Sequence, residues 1–316
     1  MKTKRLGSEG PDLSVVGFGA WETGGEAYGP NESEERVIEA IHAGLDSGIN
    51  WIDTAEIYGK GESERIVGRA IEGRRDDVLI ATKVAPKPTG TGHRAGEVRR
   101  ACEGSLERLG IERIDLYQLH WPDGRAPLDE TWEAMAALVD DGLVRWIGVS
   151  NYDREEIERC QAIRHVDSVQ PQFSLLHLKH RELIRWCGEN GVGVIPYGPL
   201  AYGLLTGAIT ADTTFGRGDW RRSGAASYYD DLFAPGKLER SLSVAEGMRP
   251  IAERLDITIA QLALAWTFHQ PGVTSAIAGS RDPEHVRQNA AAGDVELDQK
   301  ALDELEGLIP LGPAFA

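Results

Sequence analysis

Val78-Leu79-Ile80-Ala81-Thr82-Lys83 is a short, continuous apolar run closed by a lysine. It lacks the polar alternation of a strand with one wet face, so it reads as a parallel strand covered on both sides. An amphipathic stretch at 95–109 follows it. Then comes a second run, Asp115-Leu116-Tyr117-Gln118-Leu119-His120. Strand, helix and strand in this order imply parallel pairing through a right-handed crossover.

The same unit recurs along the chain. Candidate strands fall at 15–19, 50–53, 78–83, 115–120, 144–149, 168–170, 192–196 and 274–278. Candidate helices fall at 32–47, 95–109, 128–140, 154–163, 180–190, 258–269 and 283–291. The first carries Val37, Ile38, Ile41 and Leu45 at helical spacing. Asn31, with Glu34 three residues on, reads as its capping pair. Gly48, Gly110, Gly142 and Gly191 punctuate element ends. Eight β–α units close naturally into a (β/α)8 TIM barrel, one α/β domain over residues 1–316. The rival, an open doubly wound sheet, wants G-x-G-x-x-G after an early strand; Gly17-Phe18-Gly19-Ala20-Trp21-Glu22 lacks the third glycine. Two segments lie outside the repeat. Residues 3–14 read as an N-terminal hairpin. Residues 203–243 read as a long loop after the seventh strand, with Trp220, Tyr228, Tyr229 and Phe233, at the end of the barrel where active sites lie.

Bulk properties narrow the function. The 34 basic and 50 acidic residues give a net charge of −16, which argues against a nucleic-acid partner. Cys102, Cys160 and Cys187 cannot all pair and show no CxxC spacing, so they read as packed thiols in a reducing compartment. Residues 1–10 hold no apolar run, and no apolar stretch is long enough to span a bilayer, so the expectation is a cytoplasmic protein without a membrane partner.

Polar residues at strand ends carry the chemistry. Asp53 ends the second strand and Tyr58 follows it; Lys83 ends the third; His120 ends the fourth. Taken singly, these are a helix cap, a rim aromatic, a solvated charge and a buried histidine. Taken together, four titratable groups converge on one rim, as catalysis on this fold requires.

Here the chain resembles a known family. Gly48-Ile-Asn-Trp-Ile-Asp53-Thr-Ala-Glu-Ile-Tyr58-Gly59 with Glu62-Ser63-Glu64 is similar to the first signature of the aldo-keto reductases, and Leu106 through Gly110 and Ile114 to Asp123 resemble the second. Gly148-Val-Ser150-Asn151 and Ile195-Pro-Tyr197-Gly198-Pro199-Leu200 resemble cofactor segments of that family. The resemblance implies an NADPH-dependent oxidoreductase that reduces an aldehyde or ketone to an alcohol, with Tyr58 as proton donor and Lys83 and Asp53 behind it. An ammonium ~4 Å from a phenol favours the phenolate by up to ~4 kcal/mol at an effective dielectric of ~20, less whatever burial takes back. His120, desolvated and beside Lys83, should be neutral and orient the carbonyl.

The resemblance also assigns the cofactor. Ser150, Asn151 and Gln170 would bind the nicotinamide carboxamide and Tyr197 would stack on its ring. The backbone of Gly198, Leu200 and Gly203 would approach the pyrophosphate. Gly279, Ser280, Arg281, His285, Gln288 and Asn289 form the adenosine-phosphate segment, where Ser280 and Arg281 would take a 2′-phosphate and favour NADPH over NADH. Pro283 should sit in the first turn of the helix there. Trp21, Tyr28, Trp121 and Trp220, with Tyr228, are expected around a small carbonyl substrate; Trp51 fits either that wall or the core. A monomer or small homo-oligomer is expected. Two rivals remain: a nicotinamide-binding channel-associated β subunit, and a metal-dependent barrel enzyme. The second needs a carboxylate–histidine cluster, and only Asp53 and His120 offer themselves, so no metal is expected.

Overall fold

Eight parallel strands form one sheet, each beside its neighbours in chain order and the last beside the first. They are β3 (Val16–Gly19), β4 (Trp51–Asp53), β5 (Leu79–Val84), β6 (Ile114–Leu119), β7 (Val144–Ser150), β8 (Ser168–Gln170), β9 (Gly193–Val194) and β10 (Ala276–Ala278). This computed structural model describes residues 1–25, 28–31, 33–223, 231–234 and 236–309. The sheet closes where β9 meets β10: Thr274 N donates to Val194 O at 2.8 Å and Ile277 N to Pro196 O at 3.0 Å. Pro196 has no N–H, so the regular ladder of β9 is short and continues as single bridges as far as Tyr197. A small antiparallel hairpin, β1 (Thr3–Arg5) and β2 (Asp12–Ser14), stands apart. Both the (β/α)8 barrel and the hairpin agree with the reading of the sequence.

The pleat sorts side chains into two sets. Ile52, Ile80, Tyr117, Ile147, Val149 and Val169 point outward into the apolar layer shared with the helices. Trp51, Ala81, Leu116, Ile195 and Ile277 point inward and form a second, smaller core with Leu6 and Leu13 of the hairpin region. Two residues further along the same strands the inward positions turn polar: Asp53, Lys83 and Gln118. Lys83 and Gln118 are direct neighbours in register, as are Ser150 and Gln170. The barrel is therefore an apolar plug at one end and a polar chamber at the other.

Helices α1 (Glu34–Asp46), α2 (Glu62–Ala70), α3 (Ala95–Leu109), α4 (Leu128–Asp140), α5 (Arg154–Gln161), α6 (Arg181–Glu189), α7 (Lys237–Leu255), α8 (Ile259–His269), α9 (Pro283–Ala291) and α10 (Gln299–Leu308) complete the chain. Pro283 opens α9, as expected. Two expectations need correction, and one open alternative is decided. Ser33, not Asn31, caps α1, accepting from Arg36 N at 3.1 Å, because it stands immediately before the first helical residue; Asn31 Nδ2 instead donates to Thr23 O at 2.8 Å. The loop after the seventh barrel strand ends earlier than 243, since α7 begins at Lys237. Ser241, Val244, Ala245 and Met248 already give it a buried helical stripe. Trp51 belongs to the core: it is 1% exposed, and its indole N–H reaches Ser275 Oγ at 3.0 Å and Ser14 O at 3.3 Å. Gly17 beside it leaves room for the ring; a Cβ there would overlap the indole.

Trp51→Ala should cost about 3–5 kcal/mol of unfolding free energy, because it empties the plug and strands its polar partners. Urea denaturation checks this; a loss below about 1 kcal/mol would contradict the assigned position.

Candidate active site

Lys83 points up the barrel axis from β5 and is fully buried. Three oxygens meet its ammonium: Asp53 Oδ1 at 2.6 Å, Thr54 O at 2.8 Å and Tyr58 Oη at 3.5 Å. Asp53, on the adjacent strand, takes Gln170 Nε2 on its other oxygen at 2.8 Å. The ion pair is thus hydrogen-bonded on both sides, as a charge pair taken out of water must be. Burial still pulls Lys83 below the ordinary lysine range, with Asp53 opposing it.

Tyr58 is half-buried at the mouth. Its position follows from a tight turn: Gly59, Lys60 and Gly61 all have left-handed backbones, with φ of 58°, 57° and 89°. Glycine is needed at 59 for space as well as for φ, since a Cβ there would strike Gly24 O. Glu56, two residues before Tyr58, accepts from Ala85 N and Thr91 N at 3.0 Å each and from Thr91 Oγ1 at 2.6 Å. It ties the Tyr58 segment to the chain that follows Lys83. Ser63 links Thr23, Thr54 and Ala20 O beneath the same turn.

His120 closes the set. Its ring meets Tyr58 edge-on, with centroids 5.6 Å apart. Burial holds its pKa well below the usual histidine value, and the nearby Lys83 and His93 push the same way, so the imidazole is neutral. Its Nδ1 is buried, and among the described residues it has no hydrogen-bond partner. The four strand-end residues singled out in the sequence therefore meet in one place.

The amide cluster lies beside them. Asn151, with φ of 62°, donates from Nδ2 to His120 O and Ser150 Oγ at 3.0 Å each and accepts from Tyr197 Oη at 2.9 Å. Ser150 Oγ donates to Gln170 O at 2.9 Å. Tyr197 is half-buried, with its hydroxyl pinned by Asn151. Gly198 turns left-handed, and a Cβ there would meet Gln172 Cγ at 3.8 Å and the Tyr202 ring at 3.9 Å, ordinary contact distances. Leu200 is half-buried, and Gly203 completes a run of three positive-φ residues, Ala201, Tyr202 and Gly203.

At the end of β10, Gly279 packs against Gly19 O with no room for a side chain. Ser280, Arg281 and Asp282 line a cavity of about 230 Å³ with Glu22, Ser33, Arg36 and Val37. Arg281 gives Nη1 to Gly29 O at 2.9 Å and Pro30 O at 3.0 Å, and Nη2 to Tyr28 O at 3.1 Å, so it also holds the 28–31 segment. His285 and Gln288 are exposed on α9, and Asn289 is buried. Over the mouth, Trp21 meets Tyr28 at 5.0 Å and Tyr202 at 6.3 Å between centroids, and Trp220 meets Tyr202 at 5.1 Å. Trp121 packs on His120 at 4.5 Å. Tyr228 lies outside the described residues.

Sequence reasoning missed Thr54, Glu56, Tyr202, Asp219 and Arg221. Glu56 stood inside the quoted signature; its role needed the 85–91 segment to be placed beside it. Arg221 stacks on Tyr28 at 5.0 Å, pairs with Asp219 at 2.5 Å and donates to Tyr202 O at 3.0 Å, contacts that no spacing rule reports. Among the described residues no group of His, Cys, Asp and Glu could hold a metal, and no helix is long and apolar enough to cross a membrane.

A closed barrel with this polar mouth is shared by many enzymes, and comparison with known proteins gives the family. A model of the Aldo/keto reductase family matches residues 15–310. The chain belongs to that family. It is 36% identical to aldo-keto reductase YhdN of Bacillus subtilis (strain 168), over 100% of this chain and 97% of that protein. Among solved structures it is similar to the glycerol dehydrogenase AKR11B4 from Gluconobacter oxydans, with a TM-score of 0.87, 31% identity and 99% and 98% of the two chains covered. An aldo/keto reductase from Klebsiella pneumoniae, solved in complex with NADP and acetate, matches at a TM-score of 0.74 and 33% identity over 99% and 97%.

The three cysteines take no part in the mouth. Cys102, Cys160 and Cys187 are buried and free, and burial pushes each thiol up to about 12. Ellman's reagent should therefore find no reactive thiol in the native protein and three after unfolding; a fast native reaction would contradict this packing.

Proposed function

We propose that this chain is an NADPH-dependent carbonyl reductase in which Tyr58 protonates the carbonyl oxygen of a small aldehyde or ketone. The observation that carries the reading is the contact of a phenol with a buried, carboxylate-paired ammonium, edge-on to a neutral imidazole. Bound in the chamber, the reduced nicotinamide supplies the hydride, which side chains cannot. Its fit rests on this chain's own residues. Ser150, Asn151 and Gln170 form an amide-rich wall suited to a carboxamide, and Tyr197 offers a ring face. The backbone of Gly198, Leu200 and Gly203 would approach the pyrophosphate, with left-handed turns at Gly198 and Gly203. Ser280 and Arg281 stand on a cavity with room for a phosphate, and Gly279, His285, Gln288 and Asn289 would surround the adenosine end.

The proton work belongs to the protein. Tyr58 Oη gives its proton to the substrate oxygen as negative charge grows there, and Lys83 stabilises the phenolate left behind. Asp53 keeps the ammonium in place and tempers its field. His120, neutral, can donate one N–H to the same oxygen and orient it without competing as the acid. Trp21, Tyr28, Trp121 and Trp220, joined by Tyr202, make an aromatic surround that excludes water. A small-molecule substrate fits that enclosure, and the net charge of −16 disfavours a nucleic acid. The buried free thiols accord with a reducing, cytoplasmic setting.

Tyr58→Phe should lower NADPH-linked reduction, assayed across aldehydes, ketones and sugars, by about a hundredfold or more while NADPH binding changes little. Turnover equal to that of the unaltered protein would overturn the assignment, and absence of turnover in the unaltered protein on every carbonyl would overturn the reading as a reductase.

Lys83→Met should lower turnover by a similar factor. Because Lys83 is held below the lysine value of 10.5, it loses its proton early as pH rises, and the rate of the unaltered enzyme should fall on that alkaline limb. The variant lacks that group, so this limb should be lost, and any alkaline limb that remains should be that of Tyr58, at higher pH because the charge that favours the phenolate is gone. A limb left in place would rule out the coupling.

A further inference from the structure

Glu22 has no role in the chemistry above, yet it lines the cavity at the end of β10. That cavity carries two guanidinium groups, Arg36 and Arg281, and two hydroxyls, Ser33 and Ser280. These are anion-binding groups. Two carboxylates share the wall. Asp282 is fully engaged: Oδ1 accepts from Glu284 N at 2.8 Å and His285 N at 3.3 Å, and Oδ2 takes Arg36 at 2.5 Å. Its donors hold it below the ordinary aspartate range. Glu22 differs. Among the described residues nothing donates a hydrogen bond to its half-buried carboxylate, and it has no ion pair within 4 Å.

We propose that Glu22 is a cofactor-selecting residue: as a neutral acid it donates a hydrogen bond to the phosphate of NADPH, and as a carboxylate it repels that phosphate and accepts from the hydroxyl of NADH. The inference rests on the cofactor reading given above. An acid beside a ribose discriminates in this sense in nucleotide sites generally, through repulsion of one ligand and a hydrogen bond to the other. Here the acid is held close to its switching point. Burial raises Glu22 to about 7, against the pull of Arg281 and Arg221, with Asp219 adding to the rise. Those three groups face it from the segment after β10 and from the long loop. Arg36, Asp282 and, through Asp282, His285 stand across the cavity. The turn and helix packed on the other side of 22–24 contribute Tyr58, Lys60 and Glu62.

The sign follows from linkage. An anion brought beside Glu22 favours its protonated form, so binding NADPH takes up a proton wherever the acid is ionised in the free protein. Affinity for NADPH is then full below about pH 7 and falls as pH rises above it, until Glu22 is ionised in the complex too. NADH, with a hydroxyl in place of the 2′-phosphate, gains or is unchanged over the same range.

The test is cofactor binding, read by quenching of tryptophan fluorescence at pH 6.5, 7.5 and 8.5, for the unaltered protein, Glu22→Gln and Glu22→Asp. The ratio of the NADH to the NADPH dissociation constant should fall about tenfold across that range in the unaltered protein, one pKa unit of coupling. It should stay flat in Glu22→Gln, with tighter NADPH binding at pH 8.5, while Glu22→Asp keeps a pH dependence. The Gln variant also corrects for ionisation of the 2′-phosphate itself. Parallel pH courses in the unaltered protein and Glu22→Gln would overturn the role of Glu22 while leaving the cofactor reading intact. Failure of the unaltered protein to bind either nucleotide would overturn both.

Discussion

The mouth of this barrel is organised around one ion pair, Lys83 with Asp53, set inside a closed sheet. A buried ammonium is costly unless its protons and its charge are both answered. Here three oxygens answer the protons and Asp53 answers the charge. Each partner constrains a neighbour in turn. Asp53 fixes Gln170, Gln170 O fixes Ser150, and Asn151 ties Ser150 to Tyr197 and to the backbone of His120. A single chain of hydrogen bonds therefore runs from the charge pair to the wall suited to an amide.

In the proposed reaction the pair also bears on the division of labour between Tyr58 and His120. The same positive charge that stabilises a phenolate keeps an imidazole from becoming an imidazolium. Burial first, and Lys83 with it, leave the histidine neutral, so the proposed reaction takes its proton from the tyrosine. The apolar plug of Trp51, Leu116 and Ile277 matters for this electrostatics, because it keeps water from reaching the pair from below.

The strands, most helices and the meeting of Asp53, Tyr58, Lys83 and His120 at one end of the barrel were legible in the sequence, because period and strand-end position are local properties. Val78 to Lys83 already carried both the strand and the lysine at its tip. What failed was also physical in origin. Asn31 and Ser33 are both good caps, and only the true start of the helix chooses between them. Trp51 alternates correctly for either the barrel interior or a substrate wall; depth along the strand decides, and depth is not written in alternation. The start of α7 was hidden by a polar, glycine-rich approach, although its buried stripe was there to be counted. Glu56 and Arg221 hold partners far away in sequence, and no spacing announces such contacts.

The most direct measurement is a crystal structure of this protein bound to NADPH and a carbonyl-containing inhibitor. The account predicts the Lys83–Asp53 pair intact, with Tyr58 Oη and one nitrogen of His120 both within hydrogen-bonding distance of the inhibitor's carbonyl oxygen. A carbonyl oxygen directed elsewhere, with Tyr58 turned away from Lys83, would contradict it.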